Sequence, residues 1–61
     1  MKKYLIIKPF SLLEKSLLLQ DDIVYAEEVR TMTHVYLPRT RKLLGKIATI
    51  VFTELVMEIP S

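Results

Sequence analysis

Three prolines, Pro9, Pro38 and Pro60, each close an apolar run too short to be an ordinary helix. The runs are YLIIK before Pro9, THVYL before Pro38 and LVMEI before Pro60. Proline has no N–H to give to a sheet ladder and its ring fixes φ, so it stops a strand or marks an edge. Short runs rich in β-branched and aromatic residues and bounded in this way read as strands. Punctuation of this kind predicts a β protein built from short pieces, with little room for a long helix.

The intervening segments fit the same plan. In DDIVYAEEV, Ile23, Tyr25, Glu27 and Val29 alternate with Val24, Ala26 and Glu28, the period of a half-buried strand. In THVYLP, Val35 and Leu37 alternate with His34 and Tyr36. Only Arg30 to Met32 separate these two runs, which predicts an antiparallel hairpin. GKIATIVF follows the single glycine, and LVMEIP places Leu55, Met57 and Ile59 on one face, with a tight 3₁₀-type turn expected at Thr53-Glu54. A rival reading makes residues 42–59 one helix, with Leu44, Ile47, Val51 and Leu55 as its core stripe. The β-branched residues between 47 and 53 and the glycine in the first turn weigh towards strands. SLLEKSLLL reads as a loop with a helical turn, Ser11 and Glu14 having the spacing of a capping box.

A chain of 61 residues is one domain, residues 1–61, and a marginal one. At this size folding buries only roughly 60% of the surface that the unfolded chain exposes. With no cysteine and one histidine, neither disulfides nor a cysteine-ligated zinc can staple it. Apolar residues make up 51% of the chain, more than so small a core can hide. Self-association or a protein partner is therefore expected. Met1-Lys2-Lys3 and the apolar run after it stop at Lys8-Pro9, short of a signal peptide. The most apolar window, residues 43 to 59, carries Lys46, Glu54 and Glu58, so no membrane span is expected. The absence of cysteine agrees with the reducing cytoplasm, the expected location. The net charge of +2 is too mild to imply nucleic acid by itself. Asp21, Asp22, Glu27 and Glu28 precede Arg39, Arg41, Lys42 and Lys46, which predicts a bipolar molecule.

Taken in order, these pieces resemble a small five-stranded SH3-like barrel with a long leucine-rich first loop. YLIIK resembles the first strand and Pro9 to Gln20 the long loop. DDIVYAEEV is similar to the second strand of KOW-type members, entered by an acidic residue, although Gln20 and Asp21 stand where those members commonly carry glycine. HVYLP, GKIATI and TELVMEIP resemble the third strand, the glycine-led fourth, and the short turn with the final strand. The resemblance implies an all-β binding module of the sort found in ribosomal, transcriptional and phage-encoded or mobile-element proteins. The alternative from residues alone is an α+β fold with a C-terminal helix over 42–59.

Candidate chemistry is sparse. His34 lacks a nucleophile or orienting acid placed by spacing, and on an outward strand face it reads as exposed. The pairs Asp21-Asp22 and Glu27-Glu28 point to opposite faces within a strand and do not converge on a cation. Gly45-Lys46 lacks the rest of a P-loop. No catalytic, cofactor or metal site is assigned, no small-molecule substrate is evident, and an enzyme is not expected.

Two binding surfaces are expected. In PRTRKLLGK, Arg39 and Arg41 lie two apart and would point the same way in an extended loop, forking phosphates. Lys42 and Lys46 would add charge, and Tyr36 just before the loop would stack on a base. This is the nucleic-acid reading, a regulator acting through residues 38–46. The other reading is a protein-interaction or assembly module, its interface being Leu12, Leu13, Leu17, Leu18 and Leu19. Three leucines in a row cannot all face one small core.

Overall fold

Alternation builds the main sheet. Five strands, β1 (Lys2–Ile6), β4 (Ile23–Val29), β5 (Met32–Tyr36), β6 (Leu43–Ala48) and β7 (Val56–Ile59), form an antiparallel sheet in the order β6-β5-β4-β1-β7. A separate two-stranded antiparallel sheet pairs β2 (Phe10–Leu12) with β3 (Ser16–Leu18), and one short helix among the described residues, α1 (Thr49–Leu55), precedes β7. The computed structural model describes residues 1–12 and 16–60. The expected β plan holds in its coarse form: the described residues are mostly strand, with a five-stranded antiparallel sheet, a second two-stranded sheet and one short helix. Among the described residues, however, β6 and β7 do not pair, so the sheet is open and no closed barrel forms.

Three expectations are corrected. Between Pro9 and Gln20 the described residues are not a plain loop with a helical turn: Ser11 lies within β2, and β3 begins at Ser16. Leucine runs that favour helix in isolation give way here because Leu12 and Leu18 are buried beneath the sheet. Glu14, the other half of the expected capping box, lies outside the described residues.

The end of the chain is neither strand throughout nor one helix over 42–59. It is strand to Ala48, helix over Thr49–Leu55, then strand again, so the 3₁₀-type turn expected at Thr53-Glu54 is replaced by seven helical residues. Four of those seven are β-branched (Thr49, Ile50, Val51 and Thr53), and no side chain caps the N-terminus. Tertiary bonds satisfy the ends instead. Thr49 N–H donates to Thr31 O at 2.9 Å, and Leu55 O accepts from Ile7 and Lys8 N–H at 2.8 and 3.1 Å.

The helix is held by what it buries. Phe52 is 2% exposed and meets the ring of Tyr4 edge-on at 5.1 Å and that of Phe10 at 6.3 Å. It joins Ile6, Leu12, Leu18, Val24, Ala26, Val35 and Val56 in one core, with Leu44, Ile47 and Leu55 packed around it. The single buried polar side chain among the described residues, Thr33, shares a 2.8 Å hydroxyl bond with Thr49. That bond ties β5 to the first residue of α1.

The central hairpin is tighter than expected. Val29 pairs with Met32 across Arg30-Thr31, not across three residues, and Arg30 has a φ of 59°. A two-residue turn with positive φ at its first central position matches the twist of the strands. Glycine usually supplies that backbone, and here arginine bears its cost. The one glycine does a different job. Gly45 is buried in β6 opposite the fully buried Val35, where a β-carbon would enter the core layer.

No helix among the described residues is long and apolar enough to cross a membrane.

Candidate interaction surface

Residues paired across a sheet share a face, so the register fixes what the outer face presents. Val24, Ala26, Thr33 and Val35 face the core; their neighbours Ile23, Tyr25, Glu27, His34 and Tyr36 face away from it. Following the register from edge to edge gives one outward row: Ile59 on β7, Lys3 on β1, Tyr25 on β4, Tyr36 on β5 and Leu43 on β6. Beside it lies Met57–Leu5–Ile23, with Met57 53% exposed and Ile23 42% exposed. On the other side lies the polar row Glu27–His34–Lys46. The face is thus apolar and aromatic across all five strands, and rimmed by charge.

The basic loop reaches this face through a folded turn. Arg41 N–H donates to Leu37 O at 3.0 Å, and Leu37 N–H donates to Lys42 O at 2.9 Å. Lys42 N–H meets Thr40 Oγ1 at 3.3 Å, and Arg41 takes a φ of 61°. The backbone between Arg39 and Arg41 is therefore not extended, and the condition for the two arginines to point the same way is not met. Arg41 swings over the sheet and lays its guanidinium 4.0 Å from the centroid of the Tyr25 ring. Arg39 borders a different hollow, shared with Asp21, Asp22, Ile23 and Leu37.

Of the residues expected to contact nucleic acid, the structure gathers Arg41 and Tyr36 on the outer face. Lys46 lies one row away, opposite His34. Arg39 lies elsewhere, and Lys42 is exposed next to Leu43. Sequence reasoning missed Lys3 and Tyr25. Lys3 Nζ stands 5.9 Å from the Tyr25 centroid, so two cations approach one ring. The register of a two-residue hairpin would have found Tyr25, because it sets Tyr25 opposite Tyr36. The three-residue connection expected from the sequence sets Leu37 there instead.

The leucine cluster divides. Leu12 and Leu18 are core residues, whereas Leu17 and Leu19 are 63% and 52% exposed on and just after β3. Leu13 lies outside the described residues. Alternation along a short strand explains the split: consecutive leucines on β3 must take opposite faces.

The acidic residues do not form one pole. Asp21 and Asp22 lie before β4, and Glu27 and Glu28 near its far end, about 17 Å away at the rise of an extended strand. Asp22 closes a turn: its Oδ2 accepts Leu19 N–H at 3.0 Å, and its own N–H donates to Leu19 O at 3.1 Å. Asp21, at φ 73°, is the left-handed residue of that turn. Among the described residues no cluster of metal-ligating side chains occurs. His34 is half-buried between Glu27 and Lys46, less exposed than its sequence position suggests.

No family model, curated protein or solved structure matches this chain.

Proposed function

We propose that this chain is a non-enzymatic binding module of SH3-like type that docks a protein partner through the outer face of its sheet, as an assembly subunit or regulator. The observation that carries the reading is the row Ile59–Lys3–Tyr25–Tyr36–Leu43, backed by Leu5, Ile23 and Met57. A sheet needs one apolar face to fold; this sheet has two, and the second has no covering layer among the described residues. Apolar and aromatic side chains with a polar rim are the make-up of a protein interface. The SH3-like part of the proposal is supported by the order of the elements. A first strand, a long connection, three consecutive antiparallel strands and a last strand back beside the first agree with the parts named by the resemblance, while the paired strands β2 and β3 and the helix α1 go beyond it. Asp21 adopts the left-handed backbone at the place where KOW-like members put glycine.

A second reading, a nucleic-acid-binding regulator, is favoured by one observation: Arg41 and Lys3 meet at Tyr25 with Tyr36 beside them. Photocrosslinking in the cell of origin separates the two. A photoreactive residue at Met57 or Leu43 should join this chain to one protein species, and one at Glu54 on the helix should not. Equal labelling from all three positions would sink the docking face. Nucleic acid recovered from Met57 and Leu43 would put the second reading in its place.

A further inference from the structure

Beside the aromatic row lies a hollow of about 340 Å³ whose walls include Lys2, Lys3, Tyr25, Arg41, Glu58 and Ile59. Three cationic side chains and one carboxylate share it, with Met1 and Pro60 completing the wall. The carboxylate is already engaged, since Glu58 Oε1 lies 3.7 Å from Lys2 Nζ, the one ion pair among the described residues. Lys3 and Arg41 remain, both directed at the Tyr25 ring. The ring restrains the guanidinium while leaving its N–H edge available. A planar fork held in place loses less freedom on binding than a free arginine would.

We infer that this hollow is a carboxylate seat, and that the partner docked on the outer face inserts an aspartate or glutamate side chain between Arg41 and Lys3. The inference rests on the reading of that face as a protein-docking surface. Three observations choose this occupant. The surplus charge of the hollow is positive, so the group that enters it is an anion. Its remaining walls, Met1, Ile59 and Pro60, are apolar, and Leu5 and Met57 stand in the neighbouring row of the same face, a setting that matches side chains and not a sugar–phosphate backbone. Two uncompensated cationic side chains also give a salt slope of only about −2 for nucleic acid, too few phosphate contacts to hold a strand. A second copy of this chain is disfavoured as occupant, because the outer face presents Lys3, Arg41 and Lys46 against Glu27 alone, and two such faces repel.

Amide and arginine side-chain NMR of the full chain tests the inference with three probes at millimolar concentration: a blocked peptide alternating leucine and aspartate, its asparagine counterpart, and a short oligothymidylate. The aspartate peptide should shift Lys3, Tyr25 and the Arg41 Nε–H, at least about tenfold more tightly than the asparagine peptide. Arg41→Lys, which keeps the charge and loses the fork, should weaken it several-fold, and Arg39→Ala should leave it unchanged. Equal binding of both peptides on the outer face would overturn the carboxylate seat while leaving protein docking in place. Tighter binding of oligothymidylate at the same residues would overturn the inference, as would silence of Lys3, Tyr25 and Arg41 towards all three probes. The crosslinking experiment still reads the docking face independently.

Discussion

The Arg41 guanidinium lies 4.0 Å from the centroid of Tyr25, and the residue that places it there has a left-handed backbone, at φ 61°. A contact on the outer face and a strained loop conformation are therefore joined at one position. The left-handed backbone costs a residue with a β-carbon roughly 1–2 kcal/mol. An exposed cation–π contact returns about 0.5–1 kcal/mol.

Two substitutions separate these effects. Arg41→Ala loses the contact and keeps the strain; Arg41→Gly loses the contact and relieves the strain. Denaturant melts should place Arg41→Gly above Arg41→Ala by about 1 kcal/mol. Equal midpoints would show that the loop relaxes once the side chain is gone.

Arg30 adopts the same positive φ with no offsetting contact among the described residues. Arg30→Gly should stabilise the hairpin by about 0.5–1 kcal/mol, the relief of the left-handed strain less the added entropy of the unfolded chain. For a domain of this size each kcal/mol moves the midpoint of thermal unfolding by roughly 4–8 °C. A fall in melting temperature would mean that the arginine side chain supports the turn in some other way.

Phe52 is the one fully buried residue of α1 and meets two aromatic rings. Truncation to alanine should cost about 3–5 kcal/mol, comparable with the whole stability of so small a domain. Circular dichroism of Phe52→Ala at room temperature should show a largely unfolded chain, while Phe52→Leu should remain folded with a lower midpoint. Native-like stability of Phe52→Ala would show that the helix is not the plug of the core.

The hydroxyls of Thr33 and Thr49 bond to each other at 2.8 Å. Replacing either one by valine leaves the other without its partner and should cost about 1–2 kcal/mol. Replacing both removes the mismatch, so the double variant should lie close to the wild type, with a coupling energy of about 1 kcal/mol or more in the cycle. Simple additivity would show that water satisfies each hydroxyl in the single variants.

Much of the strand plan was legible because it rests on local alternation. Ile23 to Val29 and Met32 to Tyr36 are strands for the reason their pattern gives: every second side chain has somewhere dry to go. The hairpin register was less legible. A two-residue turn usually announces itself with glycine or asparagine, and here Arg30 carries the positive φ instead. That one-residue difference decides whether Tyr36 or Leu37 stands opposite Tyr25, and with it the composition of the candidate site. The basic loop was visible as a run of charge, but Arg39 and Arg41 part company because a turn, not an extended chain, joins them.

What the sequence by itself determined is the strand character of β1, β4, β5 and β7 and the alternation along β4 and β5, together with the lack of any cysteine for a covalent staple. Proline punctuation and period-two alternation act within a few residues and need no tertiary partner. Only the tertiary structure decided that Thr49 to Leu55 is helical, that Leu18 is core while Leu17 and Leu19 are not, and that Lys3, Tyr25 and Arg41 meet. Helix formation there opposes local propensity and is driven by the burial of Phe52, and the meeting at Tyr25 depends on strand order and register. Both are set by contacts between residues distant in the chain, and no local pattern records them.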